Sequence, residues 1–206
     1  MSVLLAIDTS IGTSVALKTG DRTGEHQSSD ERGHTEVIGG LMARLFAEMK
    51  VSPSTVEGVV VGIGPGPFTG LRVGIAAAKA FATGLGVPLY PISGHEAVAY
   101  GEMPDTPDAP PVRVLQDARR RELFVTEYSG LNAQGLPLPV SGPKLLTRTD
   151  YVEEARDVWP QHIPASTLLW LAELRLRAGL GFESDQALYL RAPDVKPAGA
   201  IKRVSA

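Results

Sequence analysis

The chain has no cysteine among its 206 residues. That excludes a disulfide scaffold, a thiol nucleophile and a cysteine zinc site together. Positive charge is also scarce: the formal net charge is −3. A protein that grips nucleic acid unaided is usually basic, because neutralising phosphates dominates affinity. Nucleic-acid binding by this chain alone is therefore a minority reading. Its basic residues are mostly dispersed. The exceptions, Arg119-Arg120-Arg121 and the stretch from Lys196 to Arg203, read as a solvated face and a frayed end. No apolar run approaches the length that spans a bilayer. The first residues, Met-Ser-Val-Leu-Leu-Ala-Ile-Asp, carry no basic region or cleavage site and read as a strand rather than a signal peptide. The expected location is the cytoplasm. Also missing are a His-Glu-x-x-His motif and a Gly-x-Ser-x-Gly elbow. What is present is globular composition, 43% hydrophobic and 21% charged, on a chain long enough for one large or two small cores.

The most informative stretch runs from Gly64 to Gly74, Gly-Pro-Gly-Pro-Phe-Thr-Gly-Leu-Arg-Val-Gly, with four glycines and two prolines. Gly58 to Ile63 before it is β-branched and apolar, the pattern of a buried strand. Val73 to Leu85 after it is alanine-rich and apolar nearly all round, with Lys79 the main exception, the pattern of a helix buried on both sides. The glycines thus fall on a strand-to-helix turn. Glycine there permits positive φ and close approach of a backbone or ligand, and the helix start can hold an anion. A purely structural turn does not need so many glycines, so the stretch reads as a place where something docks.

Val3–Ile7 reads as a strand ending at Asp8, followed by a hydroxyl-rich turn through Thr9, Ser10, Thr13 and Ser14 and a hairpin of two further strands. From His34 to Lys50, Val37, Ile38, Leu41, Met42, Leu45, Phe46 and Met49 form a wide helical stripe interrupted by Gly39-Gly40. The glycines suggest close approach of another helix. Residues 103–111, rich in proline and polar residues, mark a linker between a first half, 1–102, and a smaller second half, 112–192, with 193–206 as a tail. The second half repeats the opening pattern: a strand from Val112 ending at Asp117, a turn, and a strand from Glu122 to Tyr128. Leu168 to Leu180 reads as a further helix, and Ala187 to Arg191 as a last short ordered piece.

Three segments together, Leu5 to Ser10, Gly64 to Gly74, and Asp117-Ala118-Arg119 with Glu122, supported by Tyr189-Leu190-Arg191, resemble the bacterial TsaB (YeaZ) family of tRNA threonylcarbamoyladenosine biosynthesis proteins. The glycine-rich run is the specific part, and the match is good over residues 1–130 and thin beyond. The resemblance implies an α/β fold of the actin-like/Hsp70-like type, with two ribonuclease H-like halves. The second half is trimmed, since the segment from Tyr151 to Pro164 is short. It implies a role in modifying adenosine 37 of tRNAs that read codons starting with A. It also implies a division of labour: the homologous TsaD transfers the threonylcarbamoyl group, TsaB binds and supports it, and the ATPase TsaE joins. Contact with tRNA would come only through the complex.

Is the chain itself an enzyme? The catalytic relative carries Asn-His-x-Glu-x-His after the corresponding strand. Here the segment reads Ser93-Gly94-His95-Glu96-Ala97-Val98, so the two ligand positions hold Gly94 and Val98. His95 is displaced by about 100° around a helix, and a helix-start histidine satisfied by solvent or backbone is the expected state. No metal is expected. Asp8 and Asp117 stand where the phosphate-loop aspartates of actin-like ATPases stand, with Thr9 and Ser10 as a nucleotide-cleft remnant. The glycines those loops need are absent, and Arg119-Arg120-Arg121 can take a phosphate or form a salt-bridged surface equally well. The leading expectation is a non-catalytic scaffold without a cofactor of its own, with ATP at most at the complex interface. Its docking surface would use His34, Val37, Ile38, Leu41 and Leu45, an apolar stripe left exposed in a single chain and covered in a homodimer when the chain is alone. Leu41→Glu would then abolish pairing and leave the monomer folded. The rival is a small ATP-dependent phosphotransferase using Asp8 and Asp117.

Overall fold

The computed structural model describes residues 2–29, 34–103 and 111–190, with the side chains of His34 and Thr35 excepted. Most of the expected linker, Arg191, the tail 193–206 and the His34 side chain lie outside the described residues.

The first sheet is built from β1 (Val3–Asp8), β2 (Thr13–Thr19), β3 (Arg22–Ser28), β4 (Gly58–Gly62) and β5 (Leu89–Ile92), in the order β3-β2-β1-β4-β5. The β1–β2–β3 ribbon is antiparallel, and β4 and β5 join parallel to β1. Parallel strands need crossovers, and these are α1 (His34–Met49) and α2 (Phe68–Leu85). The two faces of β1 follow the two-residue period of a strand. Leu5 and Ile7 pack with Ile38, Leu41, Leu45, Leu71 and Ile75 on the α1–α2 side. Leu4 and Ala6 face the opposite side.

The second sheet comprises β6 (Val112–Asp117), β7 (Glu122–Leu131), β8 (Pro137–Thr147) and β9 (Asp157–Val158), in the order β8-β7-β6-β9. This is the order of the first sheet with the last strand missing and the fourth reduced to two residues. One face meets α3 (Gly94–Glu102), behind which α4 (Ala165–Arg177) packs against α3 and the first sheet. The other face carries only a small cluster of Leu115, Leu123 and Val125. Where the first half has a crossover helix, a loop closes over Arg113. That guanidinium donates to Asp157 at 2.6 and 2.7 Å, to the Val152 carbonyl at 2.6 Å, and to Glu154. One buried-side cation thus organises the loop that replaces a helix.

The cores do not follow the division at 103–111. Helix α4 lies beyond that boundary, yet its Leu168, Leu169, Leu171 and Ala172 join Leu4, Ala6, Ala16 and Val60 of the first sheet and Val112 and Val114 of the second in one cluster.

Three sequence expectations change. Helix α2 begins at Phe68, so Phe68, Thr69, Gly70, Arg72 and Gly74 are helical and the loop proper is only 63–67. Its outer face is open, with Arg72, Ala76, Ala80, Thr83 and Gly84 exposed; small side chains had made that face look buried. In α1 the large apolar residues form the inner face. Ile38, Leu41 and Leu45 are 8%, 2% and 2% exposed against their own sheet, and Val37 is half-buried. The stripe is therefore not an exposed docking surface. Gly39 and Gly40 point outward, with nothing within 4 Å of an added Cβ.

Candidate functional site

Three glycines of the 62–74 segment, Gly62, Gly66 and Gly74, answer to the turn after β1. Asp8, Thr9 and Ser10 are 1–3% exposed. A Cβ on Gly62 would stand 1.8 Å from Asp8 Oδ2, and one on Gly66 would stand 3.0 Å from Ser10 Cβ. A Cβ on Gly74 would lie 2.2 Å from Thr9 Oγ1. What docks on the glycine-rich segment is the chain's own Asp8-Thr9-Ser10.

Thr9 enters the hydrogen-bond ladder of α2. Its hydroxyl donates to the Gly70 carbonyl at 2.6 Å and accepts from the Gly74 N–H at 3.0 Å. The i to i−4 bond between those two residues is thereby spliced through a side chain. Asp8 is turned inward: its carboxylate accepts from the Ser10 N–H at 2.7 Å and the Ser10 hydroxyl at 3.0 Å. Burial pushes Asp8 up to about 6, against the lowering effect of those two hydrogen bonds. Gly64 stands at φ 104, where glycine is needed, and its carbonyl accepts from the Gly94 N–H at 2.8 Å and Ser93 Oγ at 3.2 Å.

A cleft of about 410 Å³ separates the two halves. Ser10, Gly12, Thr69, Gly70, Gln116 and Asp117 are among its walls, and Asp8 and Thr9 are not. The two aspartates that end β1 and β6 therefore differ in role. Asp117 is exposed and lies 3.7 Å from Arg119 and 3.3 Å from Arg148.

His95 is completely buried, not solvated as expected. Its Nδ1 lies 2.8 Å from Thr126 Oγ1 and its Nε2 lies 3.3 Å from Gln116 Oε1. Gln116 Nε2 donates to the Ser10 carbonyl at 3.0 Å. That fixes Oε1 as the acceptor toward His95, so Nε2 carries the proton and Nδ1 accepts from Thr126. Burial holds His95 down to about 4, only partly offset by Gln116. Gly94, the first position where the catalytic relative has a ligand, packs against Ile163, 3.2 Å from an added Cβ. Among the described residues no group of three or more His, Asp or Glu could hold a metal ion.

Arg72 is clamped by Tyr189. Its guanidinium lies 3.7 Å over the Phe68 ring, and its Nε donates to the Tyr189 hydroxyl at 2.9 Å. The Leu188 N–H donates to the Ile63 carbonyl at 2.8 Å, which straps 187–189 across the start of α2. Sequence reasoning picked out Thr9, Gly74, Arg72 and Tyr189 separately. It missed their pairing, because contacts between residues 61–117 positions apart leave no local spacing signal.

Two ribonuclease H-like sheets, each led by a β-ribbon ending in an aspartate and facing one another across a cleft, define the actin-like class of α/β proteins. Residues 25–136 match the family model described as TsaD, tRNA N6-adenosine threonylcarbamoyltransferase. An uncharacterized protein of Mycobacterium tuberculosis is 31% identical over 96% of this chain and 95% of its own length. The tRNA threonylcarbamoyladenosine biosynthesis protein TsaB of Haemophilus influenzae is 34% identical over 60% of this chain and 52% of its own. A solved structure of YeaZ from Pseudomonas aeruginosa superposes with a TM-score of 0.77 at 25% identity, covering 92% of this chain and all of that one. A second structure from the same organism, described as having similarity to peptidase YEAZ, gives 0.76 at 28% identity over 93% of this chain. The chain belongs to the TsaD-related family, in its TsaB (YeaZ) branch.

Proposed function

We propose that the chain is a non-catalytic subunit of the machinery that makes N6-threonylcarbamoyladenosine in tRNA, pairing with a TsaD-type transferase and supporting it. The observation that carries this reading is the closure of the Asp8–Ser10 turn by the chain's own α2. Asp8 is fully buried and bonded to Ser10, and the Thr9 hydroxyl is consumed in a helix ladder. In an actin-like enzyme that turn must open toward nucleotide phosphate. Gly94 likewise packs tightly on Ile163, so a ligating side chain at that position would first have to displace it.

The pairing face lies on the outward side of α1 and α2, where Gly39, Gly40, Ala43 and Ala47 of α1 and Ala76 and Ala80 of α2 are exposed. Such faces let another pair of helices approach closely. In the absence of a transferase the same face joins two copies. A TsaE-type ATPase joins the assembled pair, and ATP, where present, sits at the interface rather than on this chain. Among the described residues no helix is long and apolar enough to cross a membrane, in keeping with work in the cytoplasm.

The purified chain mixed with its TsaD-type partner should elute as a stoichiometric heteromer in size-exclusion chromatography with light scattering. The pair should modify tRNA, and Asp8→Asn should leave that activity in place. Failure to associate, with or without nucleotide and the TsaE-type protein, overturns the reading. The phosphotransferase alternative is not favoured, because Asp8 faces away from the cleft. It would regain its place if the isolated chain turned over ATP and Asp8→Asn abolished that turnover.

A further inference from the structure

The hairpin joining β6 to β7 adopts a conformation that its side chains resist. The Glu122 N–H donates to the Arg119 carbonyl and the Ala118 N–H to the Glu122 carbonyl, both at 3.0 Å. Arg120 and Arg121 are therefore the central pair of a tight turn. The φ angles of Arg119, Arg120 and Arg121 are 63°, 53° and 63°. All three lie in the left-handed region, which is strained for any residue with a Cβ. A hairpin turn with positive φ at both central positions ordinarily takes Asn-Gly or Asp-Gly. The other hairpin turns place glycine at a left-handed position, Gly20 between β2 and β3 and Gly135 between β7 and β8. Three consecutive arginines were not selected by the turn. Strain of this kind concentrates at binding sites.

The surroundings indicate what the arginines serve. Arg119 and Asp117 line the cleft, together with Trp159, which is 40% exposed. Arg148, on the strand pair's outer end, donates its backbone N–H to the Arg121 carbonyl at 2.8 Å. The Arg119 and Arg148 side chains are 60% and 48% exposed, and both contact the Asp117 carboxylate. Asp117 thus spaces two guanidiniums at the rim. Glu122 and Asp150 are the other carboxylates on these segments, and Asp150 accepts from Thr147 Oγ1 at 2.6 Å.

We infer that this hairpin is a phosphate-binding site for an RNA backbone. The guanidinium forks of Arg119, Arg120, Arg121 and Arg148 engage successive phosphates, and the Trp159 indole at the cleft wall stacks on a base. Guanidinium matches phosphate oxygens in a planar, two-pronged geometry. Stacking on an exposed aromatic tolerates any base. RNA is favoured over a mononucleotide because Arg120 and Arg121 are exposed at the hairpin tip and do not line the cleft. The net charge of −3 keeps the site weak in the chain alone, so it contributes within a complex. That the RNA is tRNA rests on the function proposed above.

The test uses the full chain, alone and mixed with its TsaD-type partner, with a fluorescein-labelled tRNA transcript followed by polarisation across a salt series. The variant is Arg120→Asn with Arg121→Gly, which gives the hairpin its preferred residues and so preserves the fold. The thermal midpoint should rise, while RNA affinity falls about tenfold or more and the salt dependence becomes shallower by about one to two phosphate contacts. Trp159→Ala should weaken binding without changing the salt slope. Unchanged affinity and slope in the folded variant overturn the inference. Complete displacement of the RNA by millimolar ATP also overturns it, assigning the arginines to a mononucleotide. Pairing is read separately by chromatography: a variant that pairs normally and loses RNA supports the site. A chain that never pairs but binds RNA through these arginines overturns the proposed function and leaves the site standing.

Discussion

Gly74→Ala should destabilise this protein, although glycine-to-alanine changes inside helices normally do the reverse. Helix propensity alone favours alanine by about 1 kcal/mol. Against this, the new methyl would meet Thr9 Oγ1 at 2.2 Å and Thr9 Cβ and Cγ2 at 3.2 Å. Thr9 cannot swing away without breaking its bonds to the Gly70 carbonyl and the Gly74 N–H, and it is only 2% exposed. Losing both bonds costs about 1–3 kcal/mol in total. Overpacking a filled site adds about 1–3 kcal/mol. After the propensity gain the net loss is about 3 kcal/mol, or roughly 6–12 °C in thermal midpoint for a chain of this size. Urea unfolding of four proteins tests it: parent, Gly74→Ala, Thr9→Ala and the double variant. With Thr9 truncated, the N–H of residue 74 and the Gly70 carbonyl can close the ordinary helical bond, so the Gly74→Ala change becomes nearly neutral. The cycle should show a favourable coupling of about 1–3 kcal/mol between the two changes. A Gly74→Ala protein as stable as the parent, or more so, refutes the account of why this segment is rich in glycine.

Gly39→Ala and Gly84→Ala, at open outward positions, should each raise stability by about 0.5–1 kcal/mol in denaturant titrations. Leu41→Glu should unfold the chain, by more than about 4 kcal/mol, because it buries an unpaired carboxylate in the core; circular dichroism decides. Gly40→Arg, on the outward face, should raise the thermal midpoint slightly through helix propensity and abolish the heteromer on chromatography. Asp8→Asn should alter the pH dependence of stability. With its carboxyl raised from 3.8 to about 6, the folded parent holds a proton that the unfolded chain has released. Its stability therefore falls as pH rises from about 4 to 6 and levels off above, by about 3 kcal/mol at most. The variant lacks this loss, so its advantage over the parent should grow through that window and then stay flat. His95, held down to about 4, works in the opposite sense, losing stability as pH falls from 6.5 toward 4. Both proteins share that contribution, which leaves the difference between them as the readout.

The strands and helices of the first half were legible because each has a strong period. Leu5 and Ile7 alternate with Leu4 and Ala6, and the α1 stripe repeats at helical spacing. The direction in which that stripe faces was misread. A wide apolar stripe is equally consistent with an inner face against a sheet and an outer face against a partner, and only the sheet's position decides. The glycine-rich segment was correctly singled out as a place of close approach. Whether a backbone or a ligand approaches stays open in the sequence, because Asp8-Thr9-Ser10 lies more than 50 residues away. The strain at Arg119–Arg121 had no sequence signal beyond the unusual residue choice for a hairpin.

The way the halves are joined bears on function as much as the closed turn does. Opening the cleft between the two halves would need a floor that can shear. Here the floor is bonded across. Gln116 of the second sheet donates to the Ser10 carbonyl, and the Ser14 hydroxyl donates to the Ile163 carbonyl at 2.6 Å. Glu25 of β3 accepts from the first turn of α4, at the Ala165 N–H and the Ser166 hydroxyl. Helix α4 itself packs its leucines on the first sheet while following the second in sequence, so one apolar cluster spans both. Rotating the halves apart would expose that cluster at about 25 cal/mol per Å² and leave Gln116, His95 and Thr126 unpaired in a dry interior. A catalytic cycle built on opening would have to overcome this at every turn, whereas a subunit whose task is to hold a partner in place gains from the same rigidity.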